Sequence, residues 1–275
     1  MKRAQICCIG CGNMGRSLLG GILANGYPLP LLCGADPDPA QRETIRTLFG
    51  IETLADNREA IENARIVILA VKPQLMAATV KGIAPALVKL RPLIISVAAG
   101  IRLSAITGLL RQELPVIRAM PNTPALIQAG ATALYANAQV TDEHKESAET
   151  IMRSVGTVVW VEHESVLDTV TALSGSGPAY FFLVMEILEK AAIDMGLHPD
   201  QARLLTLETA LGAAKMALES NLDTASLRRQ VTSPGGTTER ALAVLTQGKI
   251  EALFQQALKA AQQRSIELAD EFGKS

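Results

Sequence analysis

The chain of 275 residues is 48% hydrophobic and 19% charged, with a formal net charge of −1. It is long enough for one large domain or two of ordinary size and apolar enough to bury a sizeable core, which excludes disorder. Near-neutrality leaves no field that would draw in nucleic acid or an anionic membrane, so a small-molecule partner is expected.

The first residues, MKRAQICCIG, carry two basic groups, but the short apolar run after them passes into Gly-rich sequence rather than a cleavage site. No stretch approaches about 18 unbroken apolar residues, the length a bilayer span needs, and a cytoplasmic protein is expected. From here to residue 161 short apolar runs alternate with helical segments. AQICCI, LLCGA, IETL, RIVILAV, LIISVA, VIRAM, ATALYA and TVVWVE read as strands, with helices at 13–25, 40–49 and 74–87 between the early ones. Runs that do not alternate with polar residues indicate strands buried on both faces, hence a parallel sheet covered by helices.

Residues 162–275 lack strand signals. Segments 166–173, 179–195, 199–219, 225–230, 237–246 and 250–272 read as helices separated by Gly, Pro, Asn or Asp. The expected class is α/β: a doubly wound sheet over 1–161, then an all-α domain over 162–275. AYFFLVMEILEKAAIDM, residues 179–195, is apolar nearly all round and must be enclosed on every side. Either two copies pack together through it, or it is the central helix of one chain.

Cys7, Cys8, Cys11 and Cys33 fall in the first 33 residues, and Cys8 and Cys11 form a C-x-x-C pair. They lie in or beside an apolar strand with no second ligand pair at zinc-finger spacing, so they read as small core and loop residues, and no metal is expected.

Gly10-Cys11-Gly12-Asn13-Met14-Gly15 is a G-x-G-x-x-G between a predicted strand and a predicted helix, the setting of a Rossmann dinucleotide site. The first glycine makes the turn, the second admits a pyrophosphate to the backbone, and the third lets helix and strand approach; phosphate then sits on the helix N-terminus. Ala35 and Asp36 end the LLCGAD run, 21 residues beyond Gly15, where a carboxylate can hold the adenosine ribose of NAD. The same charge repels a 2′-phosphate, although Arg42 or the Asp36-Pro37 turn can receive one, so NADPH or NADH both remain candidates.

Three strand ends carry short polar loops: LAVKPQ with Ala70, Val71, Lys72 and Pro73, VAAG with Ala98, Ala99 and Gly100, and MPNTP with Met120 and Asn122. Ligands of open α/β sheets bind outside the carboxyl ends of strands, so these loops are placed at the ribose and nicotinamide end. Lys72 reads as a loop lysine whose position Pro73 fixes. VTSPGGTTER, residues 231–240, interrupts the helical half with a Pro, two Gly and four hydroxyls. By itself it reads as a helix N-cap with Ser and Thr as cap residues.

GCGNMG, LAVKPQ, MPNTP, LSGSGPAY, GAAKM and SPGGTTE, in this order over the whole chain, resemble pyrroline-5-carboxylate reductase, the enzyme of the last step of proline synthesis. The resemblance implies a Rossmann domain, a helical domain that interlocks with a second subunit to form a homodimer, and in many members a ring of dimers. It implies that Ser233, Gly235, Gly236, Thr237 and Thr238 receive the substrate, loop N–H groups binding its carboxylate and Thr238 standing at the imine nitrogen as catalytic residue. Met120, Ser176 and Gly177 are implied at the substrate's other side. For LSGSGPAY, close packing of a Gly-rich break between two helices is an equally open reading. Asn57 resembles a contact to the adenosine ribose, with a helix N-cap as alternative.

The implied reaction is hydride transfer from NADPH or NADH to C5 of a cyclic imine, which is already electrophilic when protonated and needs orientation more than a strong acid. His144, His163 and His198 are scattered without a motif, in keeping with this. A β-hydroxyacid dehydrogenase would carry a lysine after the equivalent glycines, where this chain reads Pro178-Ala179-Tyr180-Phe181-Phe182. A dinucleotide-sensing protein without catalysis would carry a degraded substrate loop, and here SPGGTTE is intact.

Overall fold

In the computed structural model, which describes residues 5–273, all eight apolar runs are strands of one sheet. In chain order the first half comprises β1 (Ile6–Ile9), α1 (Asn13–Ala24), β2 (Leu32–Ala35), α2 (Pro39–Phe49), β3 (Glu52–Leu54), α3 (Asn57–Ala60), β4 (Ile66–Leu69), α4 (Pro73–Leu90), β5 (Leu93–Ser96), α5 (Leu103–Leu110), β6 (Val116–Met120), β7 (Gly130–Ala136), α6 (Asp142–Arg153) and β8 (Gly156–Trp160). The strands lie in the order β3-β2-β1-β4-β5-β6-β7-β8. Strand order reverses between β1 and β4, which sets a ligand crevice at the carboxyl ends of those two strands.

β1 shows why the early strands are apolar throughout. Ile6 and Cys8 pack in one layer with Leu18, Leu19 and Ile22 of α1, while Cys7 and Ile9 pack in the other with Val80 and Ile83 of α4. Helix ends follow local chemistry: Asp38 accepts from the Ala40 N–H, Pro39 takes the first helical position, and Gly50 at φ +67° closes α2.

The last two strands, β7 and β8, depart from the expected parallel sheet and run opposite to the other six. β7 runs antiparallel to β6, with Ala119 opposite Leu134. The connection from Met120 to Gly130 is a short 3₁₀ turn, Thr123–Ile127, and a parallel return would need a longer crossover. The next link contains α6, and β8 is accordingly parallel to β7.

The second half comprises α7 (Val166–Val170), a π-helical turn at Thr171–Gly175, α8 (Gly177–Asp194), α9 (Pro199–Glu219), α10 (Thr224–Gln230), α11 (Thr237–Gln247) and α12 (Ile250–Gly273). The glycines of LSGSGPAY do not break the helix, which runs on from Val166 to Asp194. The π turn absorbs them, with the Ser176 N–H donating to the Thr171 carbonyl at 2.8 Å. Pro178 falls in the first turn of α8, where a missing N–H costs least.

The compact units are Met1–Ser176 with Ala260–Ser275, and Gly177–Lys259, rather than a division at residue 161. Buried polar side chains explain the difference. Asp168 of α7 accepts from Ser265 Oγ of α12 at 2.8 Å and stands 3.9 Å from Arg118 Nη2 and 3.8 Å from Arg102 Nη2. Glu164 accepts from Arg118 Nη1 at 3.1 Å and from the Leu103 N–H at 2.8 Å. Arg118, on β6, is only 1% exposed, so these links hold α7 and the last turns of α12 to the sheet. In the unit Gly177–Lys259, by contrast, only Gly177 and Ala202 are buried among the described residues.

Candidate active site

The glycine turn is shaped by what surrounds it. Gly10 has φ +97°, and a Cβ there would stand 2.6 Å from the Ala70 carbonyl oxygen; a Cβ on Gly15 would overlap the carbonyl oxygen of Gly10. The turn thus brings Gly10 against Ala70 and Val71 of the LAVKPQ loop, and the Gly10 N–H donates to the Ala35 carbonyl at 2.7 Å. Gly12 differs, because nothing lies within 4 Å of the Cβ it lacks. It is the N-cap of α1 and offers no side-chain cap, and the first turn holds no acidic residue. Asn13 is exposed and Met14 half-buried at this end of the helix. An uncapped helix start beside open space fits a pyrophosphate.

Asp36 faces the turn. Its Oδ2 accepts from the Cys11 N–H at 2.8 Å and its Oδ1 from the Asp38 N–H at 2.9 Å. Arg42 Nη1 donates to the Asp36 and Pro37 carbonyls at 2.7 and 2.9 Å, so its cation stands at the backbone of this loop. Burial, and then the Asp36 carboxylate nearby, push the Cys11 thiol up to about 12. Burial likewise raises Cys8. All four cysteines are free and buried, and they serve as packing groups of the core.

Asn57 does not cap α3: Asp56 does, accepting from the Arg58 N–H at 2.7 Å. The Asn57 Oδ1 is instead buried with no hydrogen-bond partner, which fits a ribose hydroxyl as its missing donor. Lys72 is exposed at the start of α4 and Pro73 is its first residue. Ala98 is buried and Ala99 half-buried, while Gly100, at φ +72°, would place a Cβ 3.3 Å from Leu268 of α12. Gly100 therefore has a packing reason as well as a loop reason to be glycine.

Met120 and Asn122 meet the π turn. A Cβ added to Gly175 would stand 2.5 Å from the Met120 Cε, and Met120 is only 8% exposed. Asn122 Nδ2 donates to the Ser174 carbonyl at 3.0 Å, and its Oδ1 accepts from the Ala131 N–H at 2.9 Å. The Asn122 amide is thus engaged with the protein itself, tying β7 and the π turn to the MPNTP loop. Ser176 is half-buried and Gly177 buried just beyond.

A separate candidate segment, SPGGTTE, lies within the unit Gly177–Lys259. Ser233-Pro234-Gly235-Gly236 is a β-turn in which the Gly236 N–H donates to the Ser233 carbonyl at 3.0 Å. Pro at the second position and Gly235 at φ +71° in the third make it type II. Gly236 is the N-cap of α11, and no side chain caps the helix, so neither Ser233, Thr237 nor Thr238 is the cap residue. Thr238, half-buried, is at the second position of α11. The Gly235 N–H is occupied too, donating to Glu239 Oε2 at 2.7 Å. Tandem glycine therefore does not present two idle donors; the N–H groups at the start of α11, those of Thr237, Thr238 and Glu239, are the ones that precede the first i→i−4 bond, from Arg240 to Gly236.

Comparison with known proteins covers the chain end to end. The family model for pyrroline-5-carboxylate reductase dimerisation matches residues 164–268, and one for NADP oxidoreductase, coenzyme F420-dependent, matches residues 5–100, within the nucleotide-binding half. The chain is 48% identical over 274 residues to a pyrroline-5-carboxylate reductase of Pseudomonas aeruginosa, covering 100% of both. It is 41% identical over 270 residues to that of Vibrio alginolyticus, covering 98% of each. Among solved structures, a pyrroline-5-carboxylate reductase from Coxiella burnetii matches with a TM-score of 0.93 at 44% identity over 97% of this chain and 98% of that one. A pyrroline carboxylate reductase from Plasmodium falciparum with NADP bound matches with a TM-score of 0.87 at 27% identity, over 98% and 99%.

Proposed function

The chain belongs to the pyrroline-5-carboxylate reductase family, and on that premise we propose how its residues divide the work. It is an NAD(P)H-dependent oxidoreductase that reduces the C=N carbon of L-1-pyrroline-5-carboxylate to give L-proline. The pyrophosphate rests on Gly10, Gly12, Asn13, Met14 and Gly15, and Ala35, Asp36 and Asn57 take the adenosine ribose. Residues 70–73 and 98–100 line the nicotinamide end, where Asn122 acts through the π turn it ties down. NAD(P)H supplies the hydride when bound.

On the substrate side, Thr237 and Thr238 N–H groups bind the carboxylate at the positive end of α11, within the turn built by Ser233, Gly235 and Gly236. Met120, Ser176 and Gly177 bound the ring. The Thr238 hydroxyl donates a hydrogen bond to the ring nitrogen and relays a proton from water. The observation that carries this reading is the start of α11 on Gly236, a residue with no side chain to cap it, which leaves the helix end to a ligand.

Steady-state oxidation of NADPH and NADH with pyrroline-5-carboxylate tests it. Thr238→Ala is expected to lose kcat about 10²-fold with cofactor affinity unchanged. Equal kcat in wild type and variant would remove Thr238 from catalysis.

The same reading makes the protein a cytoplasmic homodimer, joined through its helical unit and open to further assembly as a ring of dimers. Support comes from the match of residues 164–268 to the dimerisation model and from the lack of a core in Gly177–Lys259.

A further inference from the structure

Within the substrate loop one contact has no part in the chemistry just described. Glu239 lies in the first turn of α11, and its Oε2 reaches back to accept the Gly235 N–H at 2.7 Å. Gly235 is held at φ +71° and is exposed in the single chain, with nothing of its own chain within 4 Å of its missing Cβ, so no packing within the protomer fixes the turn at this point. What fixes it is a pair of hydrogen bonds: Gly236 N–H to the Ser233 carbonyl, and Gly235 N–H to Glu239. The first is the internal bond of the turn, and the second ties the turn to α11.

We propose that Glu239 is a positioning residue for substrate binding. Its carboxylate holds the Ser233–Gly236 turn on the end of α11, so that the turn and the Thr237 and Thr238 donors keep one relative arrangement before the substrate arrives. The inference rests on the reading of this loop as the substrate site. Without the tether, a glycine pair on an exposed loop samples many conformations, and the ordering is charged against substrate affinity. The negative charge itself is not needed and works against an anionic substrate; the acceptor oxygen is what matters. Glutamine supplies an acceptor oxygen of the same reach without the charge.

The test compares wild type, Glu239→Ala, Glu239→Gln and Thr238→Ala for KM of pyrroline-5-carboxylate, kcat and KM of NADPH, with far-UV circular dichroism as a folding control. Glu239→Ala is expected to raise the imine KM about fivefold, the size of an ordinary net hydrogen bond, with kcat nearly kept. Glu239→Gln is expected to restore the wild-type KM, and KM for NADPH to stay constant throughout. A Glu239→Gln enzyme as poor as Glu239→Ala, or an alanine variant with unchanged KM while Thr238→Ala is impaired, overturns the positioning role alone. A lower KM in both Glu239 variants overturns it in the other direction, making Glu239 a competitor for the substrate's place. If Thr238→Ala is silent, the substrate-loop reading has failed and the positioning role falls with it.

Discussion

Asp36 holds the glycine turn through the Cys11 N–H, and in the proposed site its carboxylate also faces the adenosine ribose. The two duties separate in variants. Asp36→Asn keeps a carbonyl acceptor for one N–H while removing the charge, so the ratio of kcat/KM for NADPH over NADH is expected to rise about tenfold as repulsion of the 2′-phosphate is lost. Arg42, already at the Asp36 and Pro37 carbonyls, is near enough to the loop to profit from that change. Steady-state kinetics with both cofactors checks it; an unchanged ratio would mean that Asp36 serves the turn and not the choice of cofactor. A residue pattern can place an aspartate at the end of β2, but it does not tell whether the carboxylate faces a ligand, the backbone or both.

At the level of elements, the helix from Val166 to Asp194 is the least ordinary. Its length and mean hydropathy of 1.2 suffice by themselves for a membrane span, and little of it is covered in the single chain. Yet α8 carries Glu186, Glu189, Lys190 and Asp194, and Lys190 pairs with Glu186 one turn away. The helix also lies within the residues matched by the dimerisation model. A second copy of this chain therefore suits its apolar surface better than lipid. Phe181 and Phe182 are 67% and 65% exposed, and Ile187 and Leu188 more than half. Burying such side chains is worth about 1.5–3 kcal/mol each. Phe182→Glu is expected to shift the protein from dimer to monomer in sedimentation velocity and to lower its melting temperature. A dimer that survives this change would place the interface on other helices.

For the molecule as a whole, the network of Arg118, Glu164, Asp168, Arg102 and Ser265 decides where the chain's compact units begin and end. It joins β6, α7 and α12, three elements far apart in sequence. Arg118→Ala would leave a buried cavity beside Glu164, now without its cation, and Asp168 with Arg102 alone, and is expected to cost about 3 kcal/mol. Urea unfolding followed by circular dichroism measures it. A loss below about 1 kcal/mol would show that water or side-chain movement replaces the arginine.

Much of this architecture is local and could be read in the residues. Eight apolar runs became eight strands, and the helices from Pro199 onward begin and end within a residue or two of their Pro, Gly, Asn and Asp signals, because periodicity and caps act over a few residues. The glycines of GCGNMG likewise announce a turn whose tightness is a matter of neighbouring atoms. Three things needed tertiary structure. The direction of β7 depends on the short connection before it, the π turn at Thr171–Gly175 on its packing with Met120 and Asn122, and the return of α12 on a serine meeting a buried aspartate 97 residues away. Sequence sets what each segment can form by itself; partners distant along the chain decide how a buried polar group is satisfied, and so where the segments meet.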